Sequence, residues 1–309
     1  MVGDIRSTKS VLKKRGIMFS STKRLLSIVN KKGLLVVLLM ASPALFIPAC
    51  GTWDKGVTGP LAVLTLTPGA TSTPTSACPN PAAVNLGGAG NYVLLAESAI
   101  TDTGSHSCVI TGNVGNSGGG SAIGVNCPEV TGTIYEPDAG YTGTNRLCGV
   151  NTSTLSTDAT NMGTAYTTDC NGQPYCVLNL GPVTPGLLNG VTITRGVYKW
   201  DTSTSVNITG DIYLDAQGNS SNRWVFQLGQ NLTLGNGVTI HLINGALAQN
   251  VFWTVAGSSA TLGTTSQFVG ILLAGPICGI VVNTNASVNG RLLSQTAITL
   301  DANTITQAP

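Results

Sequence analysis

The sequence predicts a mainly β fold, a β-helix of triangular cross-section, from its composition, a repeated step and side-chain alternation. Charged residues make up only 9% of the chain and glycine occurs 39 times, a composition that favours strands joined by tight turns. A short apolar step recurs as LTL (232–234), ATL (260–262), IVV (280–282) and ITL (298–300), with starts 28, 20 and 18 residues apart. Irregular repeats of this length are typical of a solenoid. Within each step, alternation places the first and third residues in the core and the middle residue in solvent.

The middle residues of successive steps should therefore form one column on a flat side of the solenoid. Three of them are Thr233, Thr261 and Thr299, Val281 stands among them, and Asn207 comes one coil earlier. The corners that follow should add hydroxyl and amide groups beside the column, although exposed threonines also occur on solvated strands. The predicted corner residues are Asn236, Thr239, Thr264, Thr265, Ser266, Thr284, Asn285, Ser287, Asn303 and Thr304.

The first fifty residues have the pattern of an export segment. Basic residues precede the apolar run GLLVVLLMASPALFIPAC, as in a secretory signal, with Met18 an alternative start. The run is shorter than the ~20 residues of a spanning helix, but a permanent membrane helix is the alternative. Its end, Ile47–Gly51, resembles a bacterial lipobox, in which Cys50 would be lipidated and attach the protein to a membrane. We expect a secreted or cell-surface protein.

Three regions are expected along the chain. Residues 1–50 form the export segment, residues 51–84 a Thr/Pro-rich tether with little to bury, and residues 85–309 the solenoid domain. The net charge of +2 hides an uneven distribution, because nine of the fifteen basic residues lie before residue 33. From Gly51 onward, the chain has six basic and twelve acidic residues. This excludes nucleic acid as a partner, because its binding needs clustered lysine and arginine.

Eight cysteines in an exported chain predict disulfides. Cys170 and Cys176 enclose a five-residue loop and form the first predicted pair, followed by Cys108 and Cys127. No C-x-x-C motif occurs and the chain has only two histidines, so no zinc site, other metal site or cofactor is expected.

The residue pattern gives little support for a catalytic site. His106 lies in a Gly/Ser loop and His241 on a predicted strand, each without an evident nucleophile. Asp211 and Asp215 are close in sequence, but Asp215 opens a D-A-Q-G-N turn in which aspartate ordinarily accepts backbone N–H groups. A polysaccharide-degrading β-helix enzyme would need a clustered acid and base. The sequence therefore predicts a protein that is not an enzyme.

Several motifs together resemble the microbial ice-binding (antifreeze) family. They are NLGGAGNYVLLAESAIT, VTGTI (130–134), TRGVYKW (194–200), LDAQGNSSNRWVFQLG, INGALAQNVFWTVAGSSATLGTTSQFVGILLA and ASVNGRLLSQTAITLDANTIT, covering roughly residues 85–306. The resemblance implies a right-handed discontinuous β-helix (solenoid) of triangular cross-section with one long α-helix packed alongside. The helix would fall at about 151–170, where Leu155, Met162 and Tyr166 have loosely helical spacing.

The resemblance implies adsorption to an ice crystal surface and its ordered water, with inhibition of ice growth and recrystallisation, by a protein expected to be a monomer. Ice carries no charge, so an uncharged rigid face of threonine, serine and asparagine suits it. The alternative is a cell-surface adhesin or glycan-binding solenoid, in which aromatic residues such as Trp200 and Trp253 would hold sugars.

Overall fold

The computed structural model describes residues 78–118, 123–136, 149–151, 154–181 and 183–308, together with three short strands near the N-terminus. The chain divides into two units, Met1–Leu66 and Thr67–Pro309. In the first unit, β1 (Ile17–Phe19), β2 (Leu25–Val29) and β3 (Leu35–Leu39) form an antiparallel sheet. The expected lipidation site at Cys50 and most of the export segment and tether lie outside the described residues. Among the described residues, no helix is long and apolar enough to cross a membrane.

The second unit is a β-solenoid with parallel strands and one helix, as predicted. The helix α1 (Leu155–Thr164) continues as a π-helix (Ala165–Cys170). Short 3₁₀ turns occur at Gly87–Asn91, Cys127–Glu129 and Ala248–Asn250. The strands are β4 (Tyr92–Ala96), β5 (Ala99–Asp102), β6 (Val109–Thr111), β7 (Asn113–Asn116), β8 (Val130–Thr131), β9 (Ile134–Glu136), β10 (Gly149–Asn151), β11 (Val177–Leu178), β12 (Leu187–Leu188), β13 (Thr192–Thr194), β14 (Gly196–Trp200), β15 (Val206–Ile208), β16 (Ile212–Asp215), β17 (Trp224–Leu228), β18 (Leu232–Leu234), β19 (Ile240–Ile243), β20 (Val251–Val255), β21 (Ser259–Leu262), β22 (Gln267–Ala274), β23 (Gly279–Val282), β24 (Ser287–Ser294), β25 (Ala297–Leu300) and β26 (Thr304–Thr306).

The first side of the solenoid is covered by the helix. Its strand order is β10-β9-β7-β4-β24-β22-β20-β17-β14-β11. The helix has apolar residues at intervals of three and four, including Leu155, Met162 and Tyr166, which places them on one stripe. These side chains are buried against outward-facing residues of the sheet, among them Val225 and Phe252. This side is therefore part of the core and not a free surface.

The second side is one uninterrupted ladder of seven strands in the order β12-β15-β18-β21-β23-β25-β5. It contains all four of the repeated apolar steps. The third side consists of the three-stranded sheet β13-β16-β19 and, beyond it, the first residues of β22 and β24 followed by β26, β6 and β8. A single bridge, Thr239 to Gln267, joins these two parts.

The stacking order does not follow the chain order. The last strands of the second unit are followed in space by the first strands of that unit, because β25 pairs with β5, β26 with β6, and β24 with β4. This is the discontinuity expected from the family resemblance. Strands β22 and β24 each bend from the third side onto the first at Gly270 and Gly290. A Cβ atom on Gly290 would lie 1.7 Å from the carbonyl oxygen of Gly270, so this bend requires glycine.

The interior is filled by in-register apolar side chains from the three sides. Tyr198, Phe226 and Trp253 are successive partners across β14, β17 and β20. The rings of Phe226 and Trp253 stack with centroids 4.0 Å apart. Such aromatic pairs contribute about 0.5–1.5 kcal/mol each beyond their buried area, and this ladder makes the frame rigid.

The predicted disulfide pairs are wrong. Cys176 is bonded to Cys78, whereas Cys170 is a free thiol buried at the end of the helix. The last helical turn directs Cys170 towards the sheet, so it cannot meet Cys176 across the short loop. Cys108 is likewise free and buried, and Cys127 is disulfide-bonded to a partner that is not among the described residues.

The Cys78–Cys176 bond attaches the segment before β4 to the solenoid. Asn80 makes further contacts with it. The Asn80 side chain accepts a hydrogen bond from the Arg223 N–H (2.8 Å) and donates one to the Ser221 carbonyl (3.1 Å).

Candidate functional site

The seven-stranded second side carries the predicted column of outward residues. Thr233 pairs with Asn207 on one side and with Thr261 on the other. Thr261 pairs in turn with Val281, and Val281 with Thr299. At ~4.8 Å between neighbouring strands, seven strands span about 29 Å. The complete column, which we name the second-side column, is Leu187, Asn207, Thr233, Thr261, Val281, Thr299 and Thr101.

Leu187 and Thr101 are the two members of the column that were not predicted from the sequence, and Thr101 shows why. It lies on β5, near the beginning of the solenoid sequence, but pairs with Thr299 of β25. A signal was present, because the tripeptide AIT occurs at both 99–101 and 297–299. Only the discontinuous stacking order shows that these two identical segments are neighbours in space.

Charge distinguishes the second side from the third. Every residue of the second-side column is uncharged, and its members are exposed or half-buried. On the third side, Asp211 and His241 form an ion pair, with 2.9 Å between Asp211 Oδ2 and His241 Nε2. The hydrogen bond from His241 is the main cause that lowers the pKa of Asp211. Tyr213 stacks on the His241 ring with centroids 4.8 Å apart.

The corner between the second and third sides is built from a row of left-handed residues. Gly237, Thr265, Asn285 and Ala302 all have positive φ, between 52° and 69°. Three of these residues donate a backbone hydrogen bond to the next coil: Gly237 N–H to Thr264 O (2.9 Å), Thr265 N–H to Thr284 O (3.0 Å) and Asn285 N–H to Asp301 O (3.1 Å). These bonds extend the ladder through the corner, so the surface remains regular beyond the strands.

Side chains at the corner are also connected from coil to coil. Asn236 Oδ1 accepts the Thr264 N–H at 2.9 Å, and Thr284 Oγ1 donates to Asp301 Oδ2. The predicted corner residues that remain accessible here are Asn236, Thr264, Thr265, Thr284 and Asn285.

Two predicted surface residues are buried, and those predictions are wrong. Ser266 is 0% exposed and Asn303 is 1% exposed. Each follows a left-handed residue, so its side chain turns inward at the position that Val238 and Ala286 occupy in other coils. Asn303 Nδ2 donates to the Asn283 and Ala286 carbonyls (2.8 and 3.2 Å), which makes it a structural residue of the corner.

Three further predicted residues lie beyond the corner. Thr239 bridges to Gln267, which pairs with Ser287, and Ser287 pairs with Thr304. They form a column on the third side, at an angle to the second-side column. A single flat surface therefore does not include both sets.

The acidic residues considered for catalysis have structural partners. Asp215 Oδ1 accepts the Gln217 N–H at 2.7 Å, as the turn pattern predicted, and also accepts from Asn244 Nδ2 at 2.8 Å. Asp211 Oδ1 accepts the Thr239 N–H at 2.9 Å. Both carboxylates thus hold turns or strands of the third side.

The Ice-binding-like family matches residues 94–306. The chain belongs to this ice-binding family. An ice-binding protein from Colwellia sp. is 41% identical over 227 residues, covering 73% of this chain and 84% of that protein. One from Flavobacterium frigoris (strain PS1) is 43% identical over 225 residues, covering 72% and 76%.

Solved structures of ice-binding proteins share the fold. A glycosylated ice-binding protein from an Arctic yeast superposes with a TM-score of 0.63 at 30% identity, over 73% of this chain and 94% of that one. A domain of ice-binding protein 1 from Shewanella frigidimarina gives a TM-score of 0.62 at 31% identity, over 74% and 99%. The fold of this chain is thus similar to that of solved ice-binding proteins.

Proposed function

We propose that this ice-binding family member adsorbs to ice through the second-side column and the accessible corner residues beside it, which together we name the flat face. The observation that carries the proposal is the register of the column, an uncharged row of seven accessible residues on a sheet that runs uninterrupted through seven of the described strands. Adsorption there would inhibit ice growth and recrystallisation.

The chemistry of the flat face suits a surface made of water. Charged groups hold their hydration water tightly and would resist docking to a neutral lattice. Threonine methyl groups can lie against the lattice while the hydroxyl groups hydrogen-bond ordered water. Because the strands and corners are fixed by ladder hydrogen bonds, little conformational entropy is lost on adsorption.

The other two sides are less suited to ice. The helix covers the first side, and the third side carries the Asp211–His241 ion pair beside the half-buried Asp215. The face proposed for ice therefore includes Asn207, Thr233, Thr261 and Thr299, with Asn236, Thr264, Thr265, Thr284 and Asn285 at its edge.

The glycan-binding alternative depended on two tryptophans, and both of them are buried. Trp200 and Trp253 are both 0% exposed, and their indole N–H groups donate to the Leu180 and Val269 carbonyls (2.9 and 3.0 Å). They belong to the core and cannot stack on a sugar.

Export fits this function, because ice forms outside the cell. We propose that the protein acts as a monomer at or beyond the cell surface. Lipidation at Cys50 would hold the flat face near the membrane, whereas release would let it act on ice in the surroundings.

The test is thermal hysteresis and recrystallisation inhibition of the purified protein and two matched variants. Thr261→Tyr places a bulky ring in the middle of the flat face and should abolish most of the hysteresis. Thr306→Tyr changes an exposed threonine of β26 on the third side and should leave it unchanged. Equal activity of both variants would overturn the assignment of the face, and an inactive wild-type protein would overturn the function.

A further inference from the structure

Three side chains with metal-ligating atoms converge at the corner that β5 forms at the end of the seven-stranded ladder. They are Asp102, His106 and Glu129, and one ligand atom from each lies within 4.8 Å of the others. His106 Nδ1 is 3.3 Å from Glu129 Oε2 and 3.8 Å from Asp102 Oδ2. Two ligands of a tetrahedral zinc ion stand about 3.4 Å apart, given metal–ligand distances of about 2.0–2.2 Å. The three atoms are thus close to the spacing of one coordination shell.

Asp102 supplies a buried oxygen atom that has no hydrogen-bond partner. Its side chain is 0% exposed, and Oδ2 is buried without a hydrogen bond. Oδ1 is held by the Gly104 N–H at 2.8 Å, which fixes the carboxylate plane and leaves Oδ2 directed at His106. A buried carboxylate oxygen without a partner is costly, and a cation at this position would remove that cost.

Both carboxylate oxygens of Glu129 are held by backbone N–H groups. Oε1 accepts the Cys108 N–H at 3.1 Å and Oε2 accepts the Asn126 N–H at 2.5 Å. The Glu129 side chain is only 4% exposed. Burial, followed by the nearby Asp102 carboxylate, raises the pKa of Glu129. Among the described residues, the only ion pairs of these two carboxylates are those with His106.

A thiol lies beside the same cluster. Cys108 is free, 3% exposed, and its sulfur accepts the Asn303 N–H at 3.4 Å. Burial raises the pKa of the Cys108 thiol to about 11, and the neighbouring Asp102 and Glu129 carboxylates add to this effect. Cys108 is not one of the three residues whose ligand atoms all lie within 4.8 Å of one another, so it borders the cluster without belonging to it.

We propose that Asp102, His106 and Glu129 form a binding site for a divalent metal ion of the zinc class. An imidazole nitrogen with two carboxylate oxygens suits zinc, whereas calcium takes six to eight oxygen ligands. Cysteine and histidine spacings in the sequence do not predict this site, because it combines two carboxylates with one histidine.

The metal would fix the corner of the last coil. The loop from Asp102 to Cys108 is longer than the equivalent Asp301–Asn303 corner, and both Ser105 and His106 have positive φ (57° and 60°). One ion bound to Asp102 and His106 of this loop and to Glu129 of the Cys127–Glu129 turn would hold β5 and the loop that leads to β6 in place. This adds stability to the end of the ladder that carries Thr101.

The test is zinc binding to the chelator-treated full-length protein. Titration calorimetry with zinc chloride should show one ion bound per chain. Zinc at a hundredfold excess over Kd should raise Tm by about 5 °C or more. Cobalt(II) should give visible d–d bands. These readouts do not involve ice, so a failure here leaves the proposed function standing, and the reverse is also true.

Two variants and a matched control locate the site. His106→Asn keeps a side chain that tolerates positive φ, and Glu129→Gln keeps the acceptor for the Cys108 N–H. Each should weaken zinc binding at least about tenfold, because even the loss of a residue that only hydrogen-bonds to a metal ligand typically has an effect of this size. His241→Asn removes the other histidine–carboxylate pair and should leave affinity unchanged. No zinc response by the wild-type protein, equal binding by all three variants, or a stronger response to calcium would overturn the proposal.

Discussion

Thr299 of β25 pairs in register with Thr101 of β5, although Thr101 precedes the helix in the chain and Thr299 follows it. The flat face is therefore completed by a segment from the beginning of the domain. We expect Thr101→Tyr to lower thermal hysteresis, because the bulky ring would lift the lattice from the neighbouring Thr299. Nanolitre osmometry on the variant, with Thr111→Tyr on the third side as its control, checks this. A variant with full hysteresis would show that the ice contact ends before β5.

Ser266 occupies an inward position of the corner and its hydroxyl has no hydrogen-bond partner. We expect Ser266→Ala to raise the free energy of unfolding by about 1 kcal/mol, because an unsatisfied buried hydroxyl is removed. Thermal hysteresis should not change. Urea denaturation and osmometry measure the two effects, and a loss of hysteresis at unchanged stability would return Ser266 to the ice-binding face.

The disulfide between Cys78 and Cys176 joins residues 98 positions apart. Its removal in a Cys78→Ser/Cys176→Ser variant should lower the free energy of unfolding by about 3–5 kcal/mol, because long closed loops restrict the unfolded chain most. Urea denaturation under oxidising conditions measures this. A urea midpoint equal to that of the wild-type protein would contradict this, and would mean that the contacts of Asn80 hold the N-terminal segment without the covalent bond.

Glu97 is half-buried beside the helix, and burial raises its pKa. A carboxyl whose folded pKa exceeds its unfolded pKa of about 4.3 stabilises the fold at low pH, and this contribution is lost as pH rises through the folded pKa. Glu97→Gln, uncharged throughout, should therefore raise Tm near neutral pH and have a smaller effect in acid. Melting curves at the two pH values check the sign, and a gain confined to acid would contradict it.

Sequence analysis predicted the solenoid and most of the column because both depend on alternation, which is local. The steps around Thr233, Thr261 and Thr299 show their period without knowledge of the fold. Thr101 was missed because its neighbour is set by the stacking order of distant segments. Ser266 and Asn303 were misplaced because a left-handed residue before each turns the side chain inward, and that backbone change leaves no clear mark in composition.

The disulfides and the metal cluster also could not be predicted from local sequence patterns. Cys170 and Cys176 are near in sequence, but the helix end separates their directions. Asp102, His106 and Glu129 have no recognisable spacing, because they are brought together by a corner loop and a separate 3₁₀ turn. Long-range proximity of this kind depends on the tertiary fold.

The discontinuous stacking determines how this protein could be enlarged. The last strand, β26, is enclosed by β24 on one side and β6 on the other. Repeats appended after β26 would find no open edge on which to pair. Among the described strands, the ladder on the flat face ends instead at β12 and β5, both internal segments of the chain, and Ile100 of β5 is bridged further to Ile123. A wider ice-binding surface would therefore have to arise by insertion within the sequence, next to β12 or at the Ile123 bridge, and a domain fused to the C-terminus would not lengthen it.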